Sequence, residues 1–223
     1  NEPLYRYLGG IDIELPQPFH NVINGGEHAD NHIDTQEFMI TPIKRTSFRD
    51  WINKLADVYH HLKTVLEKMG FETGVGDEGG FAPDMHHTEE AIEALYKAIK
   101  AAGYVPGKDI GIAMDFAASG LYDHKTGNYH FEGKTYKPEE FGDYIKDLVK
   151  KYPAIMSIED PFGEDDWDNF AKFTKEMGNK IQIVDDDIIV TNPYYIRKAI
   201  KKGVGNCLLI KLNQIGTVSE TLE

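Results

Sequence analysis

Residues 155–187 read IMSIEDPFGEDDWDNFAKFTKEMGNKIQIVDDD. The stretch opens with a short apolar run, Ile155–Ile158, and closes with a second one, Ile181–Val184. Between them, over 166–177, apolar residues recur at three- and four-residue steps, which predicts an amphipathic helix. Two apolar strands joined by a helix form one unit of a parallel α/β sheet that is covered by helices on both faces.

The same alternation of apolar runs and amphipathic segments continues on both sides of this unit. Further strands are predicted at 19–23, 36–40, 110–116 and 207–210, and further helices at 47–69, 88–102, 138–151 and 193–202. Residues 122–136 are typical of a hairpin between two elements. The pattern predicts a single α/β domain over 1–223 with six strands in its sheet.

The composition of the chain excludes several classes of function. Its 223 residues carry a net charge of −13, which opposes binding to nucleic acid and to anionic membranes. No apolar run approaches the roughly 20 residues of a membrane span. Cys207 is the single cysteine, which fits a reducing compartment. On a chain this acidic, a phosphorylated ligand would need local positive charge or bound metal ions.

A charged residue follows each of the four late strands. Asp115, Glu159, Asp186 and Lys211 are separated by 44, 27 and 25 residues, each about one strand–helix unit. In α/β barrels the carboxyl ends of the strands form the face where chemistry takes place. Three carboxylates there make an all-oxygen set suited to Mg²⁺. The alternative is that these acids only cap the next helix or face water.

Lys211 allows two interpretations of its own. It follows the apolar run 207–210, so it could extend to solvent from the edge of the core. Alternatively, partial burial and nearby cations lower the pKa of Lys211 until it can act as a base.

Five motifs resemble the enolase family in their order and spacing. They are NGGEHADN at 24–31, QEFMI at 36–40, GDEGGFAP at 76–83, SIEDPF at 157–162 and LIKLNQIG at 209–216. One such motif alone is weak, but five in order along the whole chain are specific. The resemblance implies an enolase-type TIM-like barrel that is incomplete, with about six of its eight strands in this chain.

The resemblance also implies a reaction and a role for each matching residue. The reaction is the Mg²⁺-dependent, reversible dehydration of 2-phosphoglycerate to phosphoenolpyruvate in glycolysis. The implied magnesium ligands are Asp115, Glu159 and Asp186, and the last two also lie beside the substrate. The implied catalytic residues are the base Lys211, the acid Glu78 and its supporting partner Glu37, with His28, Gln36 and Glu37 near the substrate.

Family resemblance further implies a homodimer or octamer. It also implies a cytoplasmic protein, of which a second fraction could be at the cell surface or outside the cell. It places an N-terminal capping domain and the last two strand–helix units outside residues 1–223. We therefore expect this chain to be a fragment of a longer protein and, by itself, weakly active at best.

Three residues depart from the pattern of the family. Asp185 stands where the family usually has Gly or Ala, Gly120 where it usually has Glu, and Glu27 where it usually has a small residue. Side-chain alternation turns Asp185 away from Asp186. Two alternatives stay open. One is a non-catalytic binding protein with the enolase fold or an inactive fragment, and the other is a superfamily enzyme that acts on another carboxylate. The changes at Asp185 and Gly120 leave room for the first, and Glu78 in the glycine-rich loop argues against the second.

Overall fold

The structure, a computed structural model, describes residues 2–9 and 14–223. The predicted domain over 1–223 also includes residue 1 and residues 10–13, which lie outside the described residues. The strands are β1 (His20–Asn24), β2 (Glu37–Pro42), β3 (Ile110–Asp115), β4 (Tyr122–Asp123), β5 (Asn128–Phe131), β6 (Lys134–Tyr136), β7 (Ile155–Glu159), β8 (Gln182–Asp185) and β9 (Cys207–Leu208). All six predicted strands are therefore present.

The main sheet has the order β1-β2-β3-β7-β8-β9 and stays open within the described residues. The prediction of an α/β, TIM-like barrel with six of its strands is confirmed. The helices are α1 (Leu4–Tyr7), α2 (Phe48–Met69), α3 (Thr88–Ala101), α4 (Pro138–Lys151), α5 (Trp167–Met177), α6 (Pro193–Lys202), α7 (Leu212–Ile215) and α8 (Val218–Leu222). None of the helices among the described residues has both the length and the apolar character needed to cross a bilayer.

The prediction of an all-parallel sheet is wrong for its first strands. β1 pairs antiparallel with β2, and β2 pairs antiparallel with β3, whereas β3, β7, β8 and β9 are parallel. The reason is the connection between β2 and β3. Two helices, α2 and α3, pack against each other there. A helix pair returns the chain to the end of the sheet that it left, whereas a single crossover helix carries it to the opposite end.

The predicted hairpin over 122–136 contains a third strand. β4, β5 and β6 form a small antiparallel sheet, and Glu132 with Gly133 makes the tight turn between the last two strands. The Glu132 carboxylate accepts a hydrogen bond from the backbone N–H of Thr88, at 2.6 Å. This small sheet therefore caps the start of α3 and leaves the main sheet uninterrupted.

The apolar core holds the strand ends rigidly. Every residue of β3 is buried, as its continuous apolar sequence predicts. α2 buries one apolar face of the helix. The aromatic ring of Phe141 on α4 stacks on that of Tyr129, with a centroid distance of 4.8 Å. Trp51 and Trp167 are both buried. The side chains at the carboxyl ends of β3, β7 and β8 therefore project from a fixed support.

Candidate active site

Carboxylates lie side by side where the central strands end. Glu37 on β2 is the direct partner of Asp115 on β3, which is the direct partner of Glu159 on β7. Direct partners share a face of the sheet, and neighbouring strands are about 4.8 Å apart. On β8, Val184 pairs with Glu159, so Asp186 returns to the same side two residues later. The fold thus brings the three acids predicted as metal ligands to one end of the sheet.

These acids are desolvated and repel one another. Asp115 is 4% exposed and Asp186 is 5% exposed. Burial is the main cause that raises the pKa of Asp115 to about 7. Burial, followed by the charges of Asp115 and the neighbouring acids, raises the pKa of Glu159 to about 10. Crowded, desolvated carboxylates favour either a proton or a bound cation, and their oxygen atoms fit Mg²⁺.

The Asp115 carboxylate is oriented by two donors. The backbone N–H of Ala117 donates to one oxygen at 2.7 Å, and the side-chain amide of Gln36 donates to the other at 3.0 Å. Gln36, predicted from the family resemblance as a substrate contact, therefore lies at this site and holds Asp115 in place.

Lys211 reaches the same site from the far edge of the sheet. Its Nζ donates to Asp186 Oδ2 at 2.6 Å, and its side chain is 45% exposed. Desolvation lowers the pKa of Lys211, but the hydrogen bond to Asp186 and the charges of Asp186, Glu159 and Asp115 outweigh it and raise the pKa. In the chain without bound cations the surrounding carboxylates therefore dominate the pKa of Lys211. The predicted lowering depends on cations beside those carboxylates and stays a prediction.

The glycine-rich loop over 76–80 lies directly on β1. A Cβ on Gly76 would stand 2.6 Å from the carbonyl oxygen of His28, and one on Gly80 would stand 2.6 Å from Asn24 Oδ1. The hydroxyl of Tyr59 on α2 also donates to the Gly79 carbonyl at 2.8 Å. Glycine is required because any side chain at these two positions would separate the loop from the strand.

The loop brings Glu78 next to Glu37 and His28. One possible ligand atom from each of these three side chains lies within 4.8 Å of the other two. His28 Nδ1 is 3.3 Å from Glu37 Oε1. Burial, then the charges of Asp115 and Glu78 and a hydrogen bond with Glu78, raise the pKa of Glu37 to about 8. Glu37 therefore keeps a proton near neutral pH and can share it with Glu78.

Two acids that sequence reasoning missed lie in the same cluster. One carboxylate oxygen from each of Asp160, Asp186 and Asp187 lies within 4.8 Å of the other two. Alternation along regular strands would turn Asp160 and Asp187 away. However, alternation does not apply to either residue. The backbone of Asp160 is left-handed, with φ of 40°, and Asp187 lies beyond the end of β8 at Asp185. The signal was available in the runs of adjacent acids at 159–160 and 185–187.

The Asp160 carboxylate also receives two backbone hydrogen bonds. The N–H groups of Asp186 and Asp187 donate to its oxygens at 3.1 and 2.8 Å. Its oxygens are therefore partly occupied. By comparison, no hydrogen bond to the Glu159 carboxylate exists among the described residues. Asp115 and Asp186 each accept two hydrogen bonds as well, so occupied oxygens do not separate the two sets, and Asp115, Glu159 and Asp186 stay the predicted ligands.

Gln214 is a further residue that sequence reasoning did not single out. Its side-chain amide donates to Asp186 Oδ1 at 2.8 Å, on the other oxygen from the one that Lys211 contacts. Asp186 is thus held from two sides.

Comparisons with known proteins show what the chain is similar to. Residues 12–223 match the family model described as the enolase C-terminal TIM barrel domain. The chain is 63% identical over 221 residues to enolase 2 of Lactiplantibacillus plantarum, and 63% identical over 223 residues to the enolase of Lactobacillus helveticus. It is 61% identical over 221 residues to enolase 2 of Lactococcus lactis.

These matches cover unequal shares of the proteins compared. They include 99%, 100% and 99% of this chain but 52% of each relative. The chain therefore spans about half the length of the curated relatives that it matches.

Proposed function

Because the chain belongs to the enolase family, through the C-terminal TIM barrel domain, we propose that its protein is a phosphopyruvate hydratase of glycolysis. Such an enzyme, a lyase, dehydrates 2-phosphoglycerate reversibly to phosphoenolpyruvate. The main support is geometric. Glu37 pairs directly with Asp115 and lies with Glu78 in one cluster, and Lys211 Nζ contacts Asp186 at 2.6 Å at the same end of the sheet.

The reaction requires a base and an acid at separate positions. A base removes the proton beside the substrate carboxylate, and an acid protonates the departing hydroxyl. We assign the first role to Lys211 and the second to Glu78, with Glu37 as its proton-sharing partner. A lysine or histidine base beside one or two magnesium ions is already known from enolase-superfamily sites, and this chain presents the lysine version.

The remaining assignments concern binding. Asp115, Glu159 and Asp186 would hold Mg²⁺, which stabilises negative charge on the substrate carboxylate as the proton leaves. His28, beside Glu37, contacts the substrate in this proposal, and Gln36 orients Asp115. We further propose a cytoplasmic homodimer or homo-octamer, and low activity for residues 1–223 without the rest of the protein.

The function is tested with the complete natural protein, 2-phosphoglycerate and Mg²⁺. We expect the ultraviolet absorbance of the enol product to rise, and EDTA to stop the rise because the carboxylate cluster then lacks its cation. Residues 1–223 alone are expected to give a weak signal or none. No product from the complete protein would exclude the hydratase and leave the two alternatives, a non-catalytic protein with this fold and an enzyme that acts on another carboxylate.

The two candidate ligand sets are separated by a matched pair of variants. Asp115→Asn is expected to weaken Mg²⁺ binding at least about tenfold, because it removes a charged ligand, whereas Asp187→Asn changes affinity much less. Isothermal titration of each purified variant with MgCl₂ measures this directly. The reverse order of effects would move the site to Asp160, Asp186 and Asp187.

A further inference from the structure

The turn after β8 is strained at two consecutive residues. Val190 and Thr191 have φ of 42° and 54°, in the left-handed region. Both are β-branched, and such residues rarely adopt positive φ because their Cβ substituents crowd the backbone. Strain of this kind persists only where surrounding contacts impose it, and it clusters at functional sites. We therefore expect a side-chain contact of this turn to depend on the left-handed backbone.

The Thr191 side chain completes a ring of hydrogen bonds around Asp186. Its Oγ1 accepts from the backbone N–H of Lys211 at 2.9 Å and donates to Gln214 Oε1 at 2.7 Å. Gln214 Nε2 then donates to Asp186 Oδ1 at 2.8 Å, and Lys211 Nζ donates to Asp186 Oδ2 at 2.6 Å. Thr191 is 4% exposed, so water does not compete for these bonds. One hydroxyl thus tethers both residues that hold Asp186.

Lys211 has few other restraints on its backbone. The paired strand β9 covers Cys207–Leu208, one more hydrogen bond joins the Leu209 N–H to the Asp185 carbonyl at 3.0 Å, and Lys211 itself precedes the four-residue helix α7. Within the described residues, its N–H donates to Thr191 alone. The ladder bonds therefore stop two residues before Lys211, and among the residues that the structure describes its carbonyl accepts only a local bond from the Gln214 N–H. The bond to Thr191 is what joins the backbone of Lys211 to the turn after β8.

We propose that Thr191 is a positioning residue that sets the backbone of Lys211 and the amide of Gln214 on either side of Asp186. The role rests on the proposed function, in which Lys211 is the base. The strained left-handed backbone at Val190 and Thr191 is what directs the hydroxyl between these two partners.

A purely structural role for the hydroxyl is weaker, because the turn is closed without it. Val190 N–H donates to the Asp186 carbonyl at 2.8 Å, and Asn192 N–H donates to the Ile189 carbonyl at 2.8 Å. These backbone bonds are independent of the Thr191 side chain. The hydroxyl is therefore free to serve Lys211 and Gln214.

The test compares Thr191→Val, which keeps the shape of the side chain, with Thr191→Ser, which keeps the hydroxyl. In the complete protein, we expect Thr191→Val to lower kcat about tenfold and to change KM less than about twofold, because only placement of the base is impaired. In the same complete protein, exchange of the Lys211 amide hydrogen should accelerate about tenfold when its acceptor is lost. Thr191→Ser should restore both.

Two further variants guard against a trivial loss of folding. Thr191→Gly suits the positive φ and lacks the hydroxyl, so it should fold and reproduce the kcat loss. Thr174→Val is the matched control, because Thr174 Oγ1 also makes two hydrogen bonds, to Phe170 and Gly205, away from the site. It should lower stability and leave kcat and Lys211 exchange unchanged.

The outcomes separate this inference from the proposed function. Normal kcat and normal Lys211 exchange in Thr191→Val and Thr191→Gly would overturn the inference, as would an equal kcat loss in Thr174→Val. If the wild-type complete protein produces no phosphoenolpyruvate, the proposed function fails instead. Lys211 amide exchange then still decides whether Thr191 holds the lysine.

Discussion

Replacing Lys211 by alanine is expected to lower the turnover of 2-phosphoglycerate by about 10²–10⁴-fold, the usual contribution of a general base. The substitution also frees Asp186 Oδ2, which Lys211 Nζ contacts at 2.6 Å. Lysine and a metal ion compete for that oxygen, so Mg²⁺ affinity should be unchanged or tighter. Turnover in the complete protein and Mg²⁺ titration of the same variant measure the two effects.

The matched control for this experiment is Lys202→Ala. Lys202 Nζ also lies 2.6 Å from an aspartate oxygen, that of Asp168, but the pair is on the surface and remote from the site. Surface pairs contribute about 0–1 kcal/mol to stability, so turnover should stay at the wild-type value. If Lys211→Ala loses Mg²⁺ binding together with turnover, the lysine supports the metal site and the assignment as base is wrong.

Replacing Asp185 by asparagine or alanine is expected to stabilise the fold. Asp185 is 1% exposed, and its buried Oδ1 has no hydrogen-bond partner among the described residues. As alternation predicts, it lies away from Asp186, against Gly205 and beside a cavity of about 450 Å³ that includes Ile196 and Ala199 of α6. Burial raises the pKa of Asp185 from 3.8 to about 7. Ionisation in this position therefore opposes folding.

The sign of the pH dependence follows from this raised pKa. The folded chain retains the Asp185 proton between about pH 4 and 7 while the unfolded chain releases it, so wild-type stability falls as pH rises through that range. Above about pH 7 the variants should exceed the wild type by roughly 2–4 kcal/mol in free energy of unfolding. Below about pH 4 the difference between asparagine and aspartate should be small.

Denaturant unfolding in EDTA at pH 4, 6 and 8 measures this difference. The difference in free energy of unfolding between the variant and the wild type isolates the effect of Asp185. The other buried acids, whose pKa values are also raised, contribute equally to both proteins. The control is Asp143→Asn, since Asp143 is an exposed aspartate paired with Lys146 at 2.7 Å. It should change stability by less than about 0.5 kcal/mol at each pH. A destabilised Asp185→Ala would mean that the carboxylate has a partner that compensates its burial.

The structure departs from sequence reasoning where distant segments meet. The strand Ile155–Glu159 and the helix Pro138–Lys151 follow from local periodicity, and both lie within one residue of prediction. The left-handed backbone of Asp160 depends on contacts with Asp186 and Asp187, so alternation could not anticipate it. The raised pKa of Lys211 likewise depends on carboxylates that are 25 or more residues away in sequence.

By itself, the sequence determined the α/β class, the six strands and the residues that meet at their ends, because these follow from side-chain periodicity and from five motifs at family spacing. The tertiary structure decided the antiparallel direction of β2, since the two packed helices α2 and α3 return the chain to the end that it left. It also decided the hydrogen bonds of the strained Thr191 and the balance of desolvation and carboxylate charge that sets the pKa of Lys211. Direction, strain and charge balance depend on groups brought together through space, and no local pattern encodes them.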